Sequence, residues 1–323
     1  MKKMLYTSAF IVILISAFIF LIKNPILGKV LRDLNANVPV SEENLKNTVK
    51  FLTTTTKPRN FYNQQSLNAS AAFIMAEFKK YGYQVEEQKY LVEGVEVKNI
   101  ICSYGPEDAE RIIVGAHYDV CEEQAGADDN ASGVAGLLEL ARILQVNKPE
   151  LKYRIDLVAY TLEEPPFFRT SQMGSAVHAK YLSENNIKVK AMICLEMIGY
   201  FSDKPKSQEY PVKALKTLYP STGNFIAVVG KMGDSELTKH MKKKMLEGSS
   251  IGVESINAPE SMTGIDFSDH LNYWKYKFSA IMITDTSFYR NKNYHQKSDT
   301  MDTLNFSKMA EVVKGVYWGL VSF

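Results

Sequence analysis

An apolar run that ends on a histidine constrains this chain more than any other feature. Ile112-Ile113-Val114 reads as a buried strand, and it closes in Gly115-Ala116, small residues that let something approach the backbone closely. His117 and Asp119 follow with only Tyr118 between them. Residues two apart on an extended strand end point the same way. After a short loop, Asp128-Asp129-Asn130 precedes a helix-like run from Ser132 to Leu144. Capping of the positive helix N-terminus accounts for one or both of these acids. It does not account for an H-x-D pair just upstream. Strand, histidine, loop, paired acids and helix is how an α/β protein builds a metal site outside the carboxyl ends of its strands.

The flanking sequence fits such a protein. Helices are predicted at Ser41–Leu52 and Ser66–Tyr81, then paired strands at Tyr83–Val92 and Val95–Tyr104. From Ile112 onward strands and helices alternate. Strands fall at Tyr153–Leu162, Val189–Met197, Phe225–Gly230 and Ala280–Thr284, and helices at Gln172–Asn185, Ser235–Leu246 and Phe306–Leu320. Phe201–Ser221 reads as a surface insertion. Alternation of this kind implies a largely parallel or mixed sheet with helices on both faces, an α/β/α arrangement. With 323 residues, 46% of them apolar, there is material for one large core. A net charge of +2 and the lack of a basic stripe interleaved with aromatics give no reason to expect a nucleic-acid partner.

The N-terminus departs from this composition. Leu5 to Ile22 is uncharged and about long enough to cross a bilayer as a helix. Lys23-Asn24-Pro25 is a poor exit for a signal peptidase. Residues 1–29 are therefore expected to form an uncleaved anchor and its flank, with residues 30–323 as a catalytic domain on the exported side. A cleaved signal peptide is the rival reading. Cys102, Cys121 and Cys194 show no zinc-ribbon spacing and read as buried thiols, with Cys121 notable for its nearness to His117.

Several strand ends carry polar groups that a buried strand does not otherwise need: His117 and Asp119, Glu163 and Glu164, Glu196, and His295 beyond the Ala280 strand. Glu196 interrupts Met192-Ile193-Cys194-Leu195 and Met197-Ile198, where an unpartnered carboxylate is expensive. Two histidines with several carboxylates at one sheet edge are the ligand inventory of a zinc site, enough for two ions. Glu163 and Glu164 are adjacent and so point in different directions. One can bind metal while the other stays free as a base.

The order His117-x-Asp119, Gly126-Ala127-Asp128-Asp129-Asn130-Ala131-Ser132-Gly133, Glu163-Glu164, Glu196-Met197-Ile198-Gly199, Ser268-Asp269-His270 and Tyr294-His295 resembles the M28 family of zinc exopeptidases, its bacterial aminopeptidases in particular. The resemblance runs from about Ser66 to the C-terminus. It implies two zinc ions bridged by Asp128, one completed by Glu164 and His295 and the other by His117 and Glu196. Glu163 is then the general base, and Asp119 and Asp269 stand behind the ligands. The substrate implied is a peptide with a free N-terminus. Tyr289, Arg290 and Tyr294 are candidates to line its pocket. Many relatives carry aspartate where Glu196 stands, which bears on geometry and metal preference. A single-zinc glutaminyl cyclase and an inactive receptor use the same fold. The presence of His117, and of all six ligand and base positions, favours the peptidase.

Overall fold

The computed structural model describes residues 19–20, 22–26, 30–31 and 38–323. Most of the expected span at residues 5–22 lies outside these. Among the described residues no helix is long and apolar enough to cross a membrane.

One sheet of eight strands organises the body. The strands are β1 (Val85–Val92), β2 (Val95–Tyr104), β3 (Arg111–His117), β4 (Arg154–Tyr160), β5 (Val189–Glu196), β6 (Phe225–Lys231), β7 (Gly252–Ala258) and β8 (Ala280–Thr284). Their order across the sheet is β1-β2-β4-β3-β5-β8-β6-β7. The run β4-β3-β5-β8 is parallel, as is β6 with β7, while β1/β2, β2/β4 and β8/β6 are antiparallel. A mixed sheet was expected, and a mixed sheet is found.

From Glu42 onward the helices beside it are α1 (Glu42–Thr53), α2 (Gln64–Lys80), α3 (Gly133–Asn147), α4 (Gly174–Glu184), α5 (Ser235–Gly248), α6 (His270–Lys275) and α7 (Phe306–Val321). Alternate strand residues feed two cores, as the two-residue period of a strand requires. Ile112, Val114, Leu157 and Ile193 join the core built with α1, α2, α3, α5 and α7, whereas Ile113, Val158, Met192 and Cys194 join the core built with α4 and α6. Gly115 sits where a Cβ would lie 2.1 Å from the Tyr160 ring, so glycine is what lets that aromatic lie flat on β3.

Two elements depart from the expectation. The edge strand β7 and the short helix α6 were not foreseen. Phe201–Ser221, expected as a surface insertion, buries Gln208, Leu215 and Tyr219. Leu215 and Tyr219 pack there against Ile22.

The topology determines where chemistry can collect. β3 lies between β4 and β5 in parallel register, so the chain leaves β3 toward one neighbour and returns on the other side. Such a reversal opens a crevice at the carboxyl ends of the strands. His117 ends β3, Glu196 ends β5, and Glu163 and Glu164 follow shortly after β4.

Candidate metal centre

Seven ionisable side chains meet in that crevice, and all but His295 are almost wholly buried. His117 Nε2 lies 3.3 Å from Asp129 Oδ1, 3.3 Å from Glu196 Oε2 and 3.9 Å from Glu163 Oε2. His295 Nε2 lies 3.1 Å from the other Asp129 oxygen, Oδ2, and 3.2 Å from Glu164 Oε2. One carboxylate thus faces two imidazoles, one oxygen each. Asp119 stands behind: Oδ1 is 3.5 Å from His117 Nδ1. Its two oxygens accept the backbone N–H groups of Glu163 and Glu164, both at 3.1 Å. Asp119 thereby ties the turn after β4 to the histidine at the end of β3. Ser268 donates to Glu196 Oε2 at 2.6 Å.

The carboxylate between the histidines belongs to Asp129 and not, as the sequence resemblance implied, to Asp128. Asp128 turns away: Oδ1 accepts from Gly199 N at 3.0 Å and Oδ2 from Asn291 Nδ2 at 2.7 Å. The cause is local. The segment Ala127–Ser132 turns irregularly into α3, and Asp129 leaves helical geometry at φ −104°, ψ 92°. Neighbouring side chains therefore point to opposite sides. Asp299 braces this turn by accepting the N–H groups of both Asp128 and Asp129. Arg59, fully buried, holds the preceding loop through the carbonyls of Ala125 and Gly126.

Asp269 is buried, and neither of its oxygens has a hydrogen-bond partner among the described residues. Burial pushes its carboxyl up to about 7, against the pull of His117. His270 lies outside the cluster. Its Nε2 meets Ile265 O at 2.7 Å, and burial lowers its pKa to about 4. Of the candidate pocket residues, Tyr294 and Tyr289 line the cavity beside the site. Tyr294 stacks on the His295 ring at 3.8 Å. Arg290 does not line it. Its Nε donates to Gln208 and its guanidinium covers the Phe225 ring at 4.7 Å, so it braces the loops from beneath.

The electrostatics of the cluster call for cations. Burial works against a charge on His117, yet Glu196, Glu163, Asp119 and Asp129 outweigh it and hold its pKa well above the ordinary value. Burial, reinforced by Asp129, pushes Glu164 up to about 8. Burial also raises Glu163 strongly, with His117 pulling it down and Glu164 and Glu196 adding to the rise. Asp129 is held low because the two imidazoles facing its oxygens outweigh its burial. Carboxyls packed this closely hold protons where no cation is bound, and a divalent ion would take the protons' place. His117 Nε2, Glu164 Oε1 and His295 Nε2 are buried atoms that lack a hydrogen-bond partner among the described residues. Such donor types and orphaned atoms fit divalent transition metals such as zinc.

A family model for peptidase family M28 matches residues 99–317, the stretch that holds every residue of this cluster. The chain belongs to peptidase family M28. It is 48% identical over 326 residues to the uncharacterized protein YfbL of Escherichia coli (strain K12), covering 98% of each chain. It is 26% identical to leucine aminopeptidase 1 of Sclerotinia sclerotiorum over 66% of this chain, and it spans about half (52%) of that protein's length. Among solved structures, the LapA aminopeptidase of Legionella pneumophila matches with a TM-score of 0.71 at 21% identity, covering 92% of this chain and 76% of that one. A glutaminyl cyclase of Bacteroides thetaiotaomicron matches with a TM-score of 0.65 at 20% identity, covering 89% of this chain and all of that one (100%). These two are likenesses of fold. The choice between their activities rests on the residues of this M28 chain.

Proposed function

We propose that this M28 protein is a two-zinc aminopeptidase that hydrolyses the first peptide bond of peptides with a free N-terminus. The observation that carries the reading is the Asp129 carboxylate set between His117 and His295, with Glu163 left over. Asp129 would be shared by two ions, one also held by His117 and Glu196 and the other by His295 and Glu164. Bound zinc supplies a Lewis acid for the scissile carbonyl and lowers the pKa of the attacking water.

The chain's own residues do the rest. Asp119, facing Nδ1, fixes the His117 tautomer that leaves Nε2 free toward the cluster. Glu163, at the cavity wall, takes the water's proton on its carboxylate and passes it to the departing amine. A cavity of about 280 Å³ opens from Glu163, Glu164 and His295 toward Phe225, Val229 and Met282. Its apolar far wall suits a large apolar N-terminal side chain.

Hydrolysis of leucyl and phenylalanyl chromogenic amides is the direct test. Activity should exceed that on the glutamyl amide by about tenfold or more, the scale set by burying or losing a few methylenes in an apolar pocket. It should vanish on removal of metal by a chelator and return with zinc. Cyclisation of N-terminal glutamine by a protein holding one zinc per chain would contradict the reading.

We also propose that residues 5–22 anchor the protein in a bilayer, with the catalytic domain on the exported side. The uncharged run supports this. Retention of the segment is supported by the docking of Lys23 on the body: its Nζ donates to Leu218 O at 2.6 Å, and its carbonyl accepts from Lys242 and Ser255. The mature protein should keep its N-terminus and sediment with membranes. Sequencing that finds a new N-terminus between Ala17 and Lys29 would overturn the anchor.

A further inference from the structure

The loop leaving β3 carries a third residue in step with His117 and Asp119. Alternate residues of an extended chain share a side, and His117, Asp119 and Cys121 keep that spacing. Between them, Tyr118 and Val120 pack inward, both 1% exposed. Backbone bonds from Tyr118 N to Tyr160 O and from Val120 N to Arg59 O fix the path. Cys121 is thereby brought to the cluster. Its Sγ, a Glu164 carboxylate oxygen and a His295 ring nitrogen all lie within 4.8 Å of one another. Cys121 is 7% exposed and free of any disulfide. Beside it, Glu164, itself 3% exposed, has one oxygen, Oε1, that meets no hydrogen-bond partner among the described residues. The other two cysteines are placed differently: Cys102 and Cys194 lie within strands β2 and β5, inside the two apolar cores.

We propose that Cys121 is a sulfur ligand to the metal position built on Glu164 and His295. This rests on the two-metal reading above and makes its two positions chemically unequal. The His117–Glu196 position offers nitrogen and oxygen donors alone, and the Glu164–His295 position adds sulfur. On coordination the Cys121 S–H bond breaks, its proton leaves to solvent, and a sulfur electron pair forms the bond to the ion. Zinc and cobalt accept thiolate together with imidazole and carboxylate, whereas magnesium and manganese favour all-oxygen sets. The Glu164–His295 position should therefore select the thiophilic ion.

Cobalt(II) loading of the full-length protein in detergent tests this without an activity assay. Wild-type protein should show an intense sulfur-to-cobalt charge-transfer band in the near-ultraviolet beside the weaker visible d–d bands. Cys121→Ser should lose the charge-transfer band and keep the d–d bands. Its affinity for the second cobalt should fall at least about tenfold, the lower end of what even outer-shell losses cost. Should the variant fail to fold, wild-type protein still decides the matter. Zinc should slow alkylation of Cys121 by N-ethylmaleimide about tenfold or more, the same scale, as read by peptide mass mapping against Cys102 and Cys194. Cobalt d–d bands without a charge-transfer band, or alkylation indifferent to zinc, would overturn the sulfur ligand and leave the two-metal reading standing. A wild-type protein that binds no cobalt would overturn both.

Discussion

Glu163→Gln should lower kcat by roughly 10² to 10⁴-fold, the span that general-base catalysis supplies, while the protein keeps its full metal content. The asymmetry between adjacent glutamates is the reason. Glu164 Oε2 faces His295 Nε2 at 3.2 Å and so belongs to the ligand set. Glu163 makes no comparably short contact: its nearest imidazole nitrogen is His117 Nε2 at 3.9 Å, and its carboxylate borders the cavity where substrate must lie. Glutamine is nearly isosteric with glutamate and leaves the backbone bond from Glu163 N to Asp119 intact. Only the proton acceptor is lost, so KM should change little. Glu164→Gln removes a charged ligand instead, and zinc content should fall together with activity. Steady-state kinetics paired with elemental analysis of each variant separates the roles. Retention of zinc by Glu164→Gln and its loss by Glu163→Gln would exchange them.

Asp129→Asn and Asp128→Asn should behave as opposites although the residues are neighbours. Asp129 offers one oxygen to each histidine-based position. Its neutralisation should weaken both ions by more than the 10- to 100-fold that a lost outer-shell partner costs and abolish measurable turnover. Asp128 makes its contacts on the other side of the turn, with Gly199 N and Asn291. Burial and the nearby Asp285 carboxylate already push its pKa well up. Asp128→Asn should therefore cost stability, about 1–3 kcal/mol for buried hydrogen bonds left mispaired, and keep zinc. Thermal unfolding and metal analysis of the two variants give the comparison. A zinc-free Asp128→Asn beside a zinc-replete Asp129→Asn would return the bridging role to Asp128.

That one-residue difference shows what was legible in the sequence. Apolar runs with abrupt polar ends located β3, β4, β5 and β8, because burial on both faces leaves a continuous signal. The strand ends then placed His117, Glu163, Glu164 and Glu196 together, since parallel neighbours end on the same edge. Which of two adjacent acids turns inward is a matter of backbone dihedrals within Ala127–Ser132, and composition carries no trace of them. The strand β7 is not legible in the sequence because its buried side chains include Ser255 and Asn257, which break the apolar alternation. Ser255 is satisfied by Lys23 O and Asn257 by the carbonyls of Lys231 and Asp234 at and just beyond the end of β6, partners distant in sequence. Arg290 looked available for substrate because arginine is ordinarily exposed. Its burial depends on Gln208 and Phe225, again far along the chain.

The most direct measurement is anomalous diffraction at the zinc edge from crystals of zinc-loaded protein. Two peaks should appear, one among His117, Glu196 and Asp129 and the other among His295, Glu164 and Asp129, with Glu163 bound to neither. A single peak, or a second ion held by Asp128, would contradict the shared Asp129 centre.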